Sequence, residues 1–176
     1  MELKIVKFFN KLGLGVLDKA AYFVSRIKYL VIFWTILALG FLFLDKQFGQ
    51  KIFLGIIIAS AFHFLISEGL IKHTLTKIWG KRTRPYILHR EIIPIGRKFT
   101  DSSFPSSHMS STLAILTVVV FFYPIFWVMA PAFLLALFMA YARMHQGMHY
   151  LSDVIAGAVL GIIYGLAGIF ITNNFL

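Results

Sequence analysis

The sequence has no cysteine and few acidic residues. Its 176 residues include seven Asp and Glu, and the absence of Cys excludes disulfides, thiolate metal sites and cysteine nucleophiles. Charged residues make up 14% of the chain and hydrophobic residues 59%, against about 25% and about 45–50% in ordinary soluble domains. A chain this short cannot bury so much apolar surface in water. The composition therefore excludes a soluble, disordered or collagen-like protein and favours a membrane protein.

The charge that is present is mostly positive. The 17 Lys and Arg give a formal net charge of +10, and a basic rim of this kind attracts phosphates or the headgroups of anionic lipids. Nucleic acid is not expected as a partner, because the cations lie beside apolar segments and no recognition motif accompanies them.

Long apolar runs predict an all-α, polytopic membrane helix bundle. A bilayer core of about 30 Å needs roughly 20 apolar residues per helix, with about 17 as the lower limit. Five runs reach or approach this length: 29–44, 52–71, 106–122, 125–142 and 154–172. In the last run Gly157, Gly161 and Gly165 recur every fourth residue, which predicts close packing against another helix. Residues 29–176 are expected to form a single transmembrane domain.

The first 28 residues have a different pattern. Apolar residues alternate with Lys4, Lys7 and Lys11 at roughly helical spacing, which predicts an amphipathic helix lying at the membrane surface. An alternative, in which residues 12–28 cross the membrane as a sixth span, stays open at this point.

The order of the spans decides which polar segments share a side of the membrane. With five spans, segments 72–105 and 143–153 face the same side. Three groups of unusual residues then meet there: Lys77 with Arg84 and Pro85; Ser106 with Ser107 and His108; and Arg143 with His149 and Asp153. We expect these groups to form one site.

The cations and hydroxyls of this site suit a phosphate. Lys77, Arg84 and Arg143 can neutralise phosphoryl oxygens. Ser106 and Ser107 stand at the start of a predicted helix, where free N–H groups favour an anion.

The remaining side chains suit nucleophilic catalysis. His149 and Asp153 are four residues apart, so a shared helical face would let the carboxylate take the Nδ1 proton and leave Nε2 as a nucleophile. His108 is then expected to act as the general acid for the leaving group. The scarcity of acidic residues argues against a metal site.

The ordered motifs Lys77-x6-Arg84-Pro85, Pro105-Ser106-Ser107-His108 and Arg143-x5-His149-x3-Asp153 resemble the three-part signature of the type 2 phosphatidic acid phosphatase superfamily. The resemblance implies a phosphohistidine at His149, with Asp153 as its orienting partner and His108 as the acid. It also implies that Lys77, Arg84, Ser106 and Arg143 bind the phosphoryl oxygens. Two positions depart from the family pattern: Ser107 stands where Gly is usual, and Ala142 where Ser is usual.

The resemblance implies an integral-membrane lipid phosphatase that uses no metal or other cofactor, and no obligate protein partner is evident. The expected substrate is lipid A, with its 1-phosphate as the group removed. Undecaprenyl diphosphate and phosphatidylglycerophosphate are the alternatives. An anion transporter is disfavoured, because the polar residues gather at one membrane face. Bacterial relatives suggest the extracytoplasmic face of the inner membrane, whereas the positive-inside rule alone favours the cytoplasmic face.

Overall fold

The computed structural model describes residues 1–13 and 15–175, and these residues form helices joined by turns and loops. The helices, numbered in chain order, are α1 (Glu2–Lys11), α2 (Val16–Val24), α3 (Ile27–Leu44), α4 (Gly49–Trp79), α5 (Pro85–Leu88), α6 (Ser107–Phe122), α7 (Phe126–His145) and α8 (Leu151–Phe175).

Five of these helices correspond to the five predicted spans. Helices α3, α4, α7 and α8 are long and apolar enough to cross a membrane. Helix α6 is apolar but has 16 residues, and it packs against α4, α7 and α8 within the bundle. The prediction of an all-α polytopic membrane bundle is confirmed.

The sixth span considered for residues 12–28 is contradicted. Helix α2 has nine residues, which extend about 14 Å at about 1.5 Å per residue and so cover about half of the membrane core. Helices α1 and α2 instead pack against α7.

Polar contacts attach this N-terminal segment to the end of the bundle that carries the predicted site. Lys7 pairs with Glu91 at 2.7 Å, and the Asn10 amide donates to the His145 carbonyl oxygen at 2.7 Å. The His145 ring also contacts Asp18 at 2.7 Å. His145 therefore holds the N-terminal helices in place. The division of the chain into residues 1–28 and 29–176 stays a prediction.

Helix α4 continues beyond the predicted end of its span. The sequence suggested a loop from residue 72, but the helix runs to Trp79 and stops before Gly80, whose φ of 84° breaks the helical path. Residues His63–Leu75 are wound as a π-helix, which has an i to i+5 hydrogen-bond pattern and often occurs at functional sites. This winding changes which α4 side chains face the rest of the bundle.

The small residues of α8 lie directly against α6, as predicted. A Cβ atom added at Gly157 would stand 2.5 Å from the carbonyl oxygen of Ser106, and one added at Gly161 would stand 2.5 Å from that of Ser110. Such distances leave no room for a side chain. The glycines thus allow the two helix backbones to touch, and the start of α6 is held against the start of α8.

Gly161→Ala is therefore expected to lower the thermal unfolding midpoint in detergent, because overpacking a well-packed contact costs roughly 1–3 kcal/mol. The matched control is Gly40→Ala on α3, where an added Cβ meets no atom within 4 Å among the described residues. Equal midpoints for the two variants, measured by thermal scanning of purified protein, would contradict this packing.

Candidate active site

Seven of the eight predicted site residues, all except Lys77, meet at one end of the bundle, where α6 and α8 begin and α7 ends. A cavity of about 570 Å³ lies there, and five of the predicted residues line it: Arg84, Ser107, His108, Arg143 and His149. Ser106 and Asp153 lie beside this cavity, and the Ser106 backbone N–H donates to the Asp153 carbonyl oxygen at 3.0 Å. The three sequence motifs therefore converge in space.

His149 lies in the turn between α7 and α8, and its two ring nitrogens have different surroundings. Nδ1 donates to the Ser103 carbonyl oxygen at 2.7 Å, while Nε2 lies 3.4 Å from Nη1 of Arg84. Because Arg can only donate, this arrangement leaves the lone pair on Nε2. Burial and the nearby cations Arg143 and Arg84 lower the pKa of His149 well below its ordinary value. The ring is therefore neutral at pH 7, with an unprotonated Nε2 in the cavity.

The predicted hydrogen bond from Nδ1 of His149 to Asp153 is not formed, because Nδ1 donates to the Ser103 carbonyl oxygen instead. Asp153 Oδ2 lies 3.8 Å from Nδ1, because α8 begins at Leu151 and His149 precedes it instead of sharing its face. The carboxylate accepts the Tyr150 backbone N–H at 2.8 Å and pairs with Arg82 at 2.7 Å. Asp153 thus fixes the turn that carries His149.

Arg84 is buried between the loop and the turn that carries His149. Its guanidinium donates to Asp101 Oδ1 at 2.7 Å and to the Met148 carbonyl oxygen at 3.2 Å. Burial alone would raise the pKa of Asp101, but Arg84 and Lys72 hold it below its ordinary value. Asp101 is therefore ionised at pH 7 and fixes the guanidinium beside His149.

Among the buried polar side-chain atoms that have no partner within the described part of the chain, two belong to predicted phosphate-binding residues. They are Nε of Arg143 and Oγ of Ser106. The Arg143 guanidinium is 1% exposed, and its Nη1 donates to the Gln146 amide oxygen at 2.9 Å. Buried polar groups nearly always have a partner, so the free N–H of Arg143 and the free hydroxyl are suited to the oxygens of a bound anion.

The predicted role of Lys77 is not supported by its position. Lys77 is exposed near the end of α4 and, among the described residues, does not line the cavity. Lys72 lines it instead, one to two turns earlier. The Lys72 ammonium lies 3.2 Å from Glu68 and 3.5 Å from Asp101. Its spacing of four residues from Glu68 is the signal in the sequence that could have identified it.

Ser107 occupies the position where the superfamily usually has Gly, and the structure gives its side chain two partners. The hydroxyl contacts the Lys72 ammonium and donates to the Glu68 carboxylate. The added side chain therefore joins the α6 start to α4, and it does not block the cavity.

His108 lines the cavity from the first turn of α6, and its Nε2 lies 2.8 Å from the Ser25 carbonyl oxygen. This contact makes Nε2 the protonated nitrogen, since a carbonyl can only accept.

The sequence identifies neither Ser25 nor Arg82 as a site residue, because both reach the site through tertiary folding and belong to no local motif.

Comparisons with known proteins agree with the geometry. The sequence profile of the PAP2 superfamily matches residues 51–175, so the chain belongs to that superfamily. It is 25% identical over 179 residues to a lipid A 4'-phosphatase of Bacteroides thetaiotaomicron, covering 99% of this chain and 78% of that protein.

Two solved structures share the fold. One is LpxE of Aquifex aeolicus, with a TM-score of 0.76, 25% identity and coverage of 96% of this chain and 94% of that one. The other is a transmembrane PAP2-type phosphatidylglycerolphosphate phosphatase of Bacillus subtilis, with a TM-score of 0.71, 19% identity and coverage of 99% and 86%. The chain is thus a multi-pass membrane protein of the PAP2 phosphatase class.

Lys72→Met is expected to weaken the binding of inorganic phosphate roughly tenfold or more, since a hydrogen bond to a charged group contributes about 1.5–3 kcal/mol. Lys77→Met is the matched control and should change it less than about twofold, because exposed cations contribute little. Titration calorimetry of the detergent-solubilised protein measures both.

The double variant Glu68→Gln with Lys72→Met avoids leaving the Glu68 carboxylate buried without its partner, and it should show the same loss. A larger loss of phosphate binding for Lys77→Met than for Lys72→Met would instead identify Lys77 as the phosphate-binding lysine.

Proposed function

We propose that this protein hydrolyses the phosphate of a membrane lipid through a phosphohistidine at His149. The observation that carries the proposal is the composition of the cavity. One end holds His149 and the cations, and the rest is lined mostly by apolar side chains of α3 and α4, among them Leu30, Trp34 and Ile56. Such a cavity suits a molecule with a phosphate at one end and hydrocarbon at the other.

The proposed reaction has two displacements. Nε2 of His149 attacks phosphorus while the bond from phosphorus to the lipid oxygen breaks, and His108 gives its proton to that oxygen. His108 is proposed to enter this step protonated and to leave it as a neutral imidazole. Water then attacks the phosphohistidine, loses a proton to His108 and releases inorganic phosphate.

Lys72, Arg84 and Arg143 are proposed to bind the phosphoryl oxygens, with the Ser106 hydroxyl and the N–H groups at the start of α6 as further donors. Asp153 is proposed as a positioning residue, because it holds the turn of His149 and does not contact the ring's Nδ1 within hydrogen-bond distance. These donors are placed before substrate arrives, which is how preorganised sites stabilise developing charge.

The reaction is proposed to need no metal ion. The carboxylates around the cavity are already paired with cations: Glu68 with Lys72, Asp101 with Arg84, and Asp153 with Arg82. Hard divalent cations need several free oxygen ligands. The cations of the protein take the place that a metal would have beside the phosphate.

Lipid A is proposed as the substrate, with its 1-phosphate as the group removed. The Bacteroides relative is named as a lipid A 4'-phosphatase, which supports the lipid class and makes the 4'-phosphate the second candidate. Mass spectrometry of the product from bisphosphorylated lipid A identifies the position. Faster phosphate release from undecaprenyl diphosphate or phosphatidylglycerophosphate in the same micelles would overturn this ranking.

The bacterial inner membrane is the proposed location, with the site on the extracytoplasmic face. Four cations on the site's side have acidic partners, namely Lys7, Lys72, Arg82 and Arg84. Their positions thus have structural reasons apart from topology. This orientation places Asn174 near the cytoplasmic surface, where a reporter fused to the chain end is expected to report the cytoplasm.

Thr35→Trp is expected to reduce lipid phosphate hydrolysis at least about tenfold and to leave hydrolysis of p-nitrophenyl phosphate within about twofold. Thr35 lines the apolar part of the cavity, so an indole there would exclude a lipid chain without reaching His149. Losing a chain contact of about 1.4 kcal/mol already weakens lipid binding tenfold.

Ile36→Trp is the matched control, since Ile36 is 66% exposed on another face of α3. Both substrates are assayed in EDTA, because no metal is required in the proposed reaction. Equal losses on the two substrates, or loss of all activity in EDTA, would count against the proposal.

A further inference from the structure

A second recess adjoins the cavity that holds His149. Its volume is about 310 Å³, and its lining includes Phe99 and Arg143, which also line the larger cavity. Arg143 thus stands between the two spaces. A group bound in the second recess would lie across Arg143 from a phosphate bound at His149.

The second recess is basic. Its lining includes Arg26 and Lys28 from the end of the α2–α3 link and the start of α3, and Arg97 from the loop before α6; no acidic residue lines it in the described ranges. Arg26 and Arg97 lie over the rings of Tyr22 and Phe99, at 4.7 Å and 5.4 Å from the ring centroids. Arg26 also donates to the Tyr22 hydroxyl, and stacking of this kind orients a guanidinium while leaving its other N–H donors free. We call this second recess, with its three cations Arg26, Lys28 and Arg97, the basic recess.

The walls of the basic recess are tied to one another. A Cβ added at Gly96 would meet the Tyr22 ring at 3.1 Å, so the loop lies directly on α2. Gln146 links the same elements, because its amide donates to the Ala21 carbonyl oxygen at 3.0 Å and its own carbonyl accepts the Ile95 N–H at 3.4 Å. The recess is therefore preformed.

We propose that the basic recess binds a second phosphate of the substrate headgroup, separated from the reacting phosphate and lying away from the acyl chains. The inference rests on the proposed function. The apolar part of the larger cavity follows α3 and α4 into the membrane, whereas the basic recess is built largely from the α2–α3 link and the loop that precedes α6. The reacting phosphate at His149 thus has hydrocarbon on one side and cations on the other.

This placement selects among phosphorylated lipids. In a lipid diphosphate the second phosphate lies between the reacting phosphate and the hydrocarbon, so it cannot reach the basic recess. In a sugar headgroup phosphorylated at both ends, the second phosphate lies beyond the sugar and can reach it. The basic recess therefore favours doubly phosphorylated sugar lipids over lipid diphosphates and simple phosphatidic acids.

The test compares the unsubstituted protein with a double variant that carries Arg26→Gln and Arg97→Gln. Both proteins are assayed on two substrates in neutral detergent micelles. The substrates are lipid A with both phosphates and lipid A that carries only the reacting phosphate. For the doubly phosphorylated lipid we expect KM to rise roughly tenfold with kcat retained, since a charge-assisted contact of about 1.4 kcal/mol corresponds to tenfold. The singly phosphorylated lipid should change less than about twofold. Lys46→Gln, at the opposite end of the bundle, is the control.

Equal changes on the two substrates, or no change on either, would overturn the proposal. The second phosphate could also come from a neighbouring anionic lipid, so the assay is repeated with phosphatidylglycerol in the micelles. An effect of the two substitutions that appears only with phosphatidylglycerol would assign the recess to bilayer lipid and overturn the proposal.

Failure of the proposed function gives a different result. In that case the unsubstituted protein releases no phosphate from any of the lipids. The basic recess is then tested by binding alone, with doubly phosphorylated lipid A and the His149→Ala protein. Roughly tenfold weaker binding after adding Arg26→Gln and Arg97→Gln supports the recess, and unchanged binding contradicts it.

Discussion

Direct backbone contact between α6 and α8 determines the geometry of the site. Gly157 faces the carbonyl oxygen of Ser106 at a distance that no side chain tolerates, and the Ser106 N–H reaches the Asp153 carbonyl oxygen at 3.0 Å. In a membrane, helix association depends on close packing more than on the hydrophobic effect. The same contact that stabilises the bundle thus brings the residues before α8, including His149, beside the first turn of α6.

The second constraint is the burial of positive charge. Lys72, Arg84 and Arg143 are each less than a tenth exposed, and burying a charge is costly unless it is paired. Carboxylates partner Lys72 and Arg84, whereas Arg143 bonds to the neutral amide of Gln146. A bound phosphate would supply the missing negative charge, so the folded protein is expected to bind an anion at this position.

Much of this arrangement could be predicted from the sequence, because apolar runs indicate spans and motif spacing indicates which residues meet. The points at which the structure differs from these predictions have physical causes. The motif spacing predicts Lys77 at the site and the structure places Lys72 there, because neither the continuation of α4 to Trp79 nor its π-helical winding can be read from residue types. The four-residue spacing predicts Asp153 beside Nδ1 only if one helix carries both residues, and α8 begins at Leu151, after His149. Ser25 contacts His108 only through tertiary packing.

Nε2 of His149 is the proposed nucleophile, and trapping the covalent intermediate decides whether it is. The protein is mixed with lipid carrying labelled phosphate, quenched in alkali, where phosphohistidine is stable, and digested for mass spectrometry and phosphorus NMR. Because Nδ1 is engaged by the Ser103 carbonyl oxygen at 2.7 Å, label is expected on Nε2 of His149 alone. Label on Nδ1, on His108 or on any other side chain would contradict it.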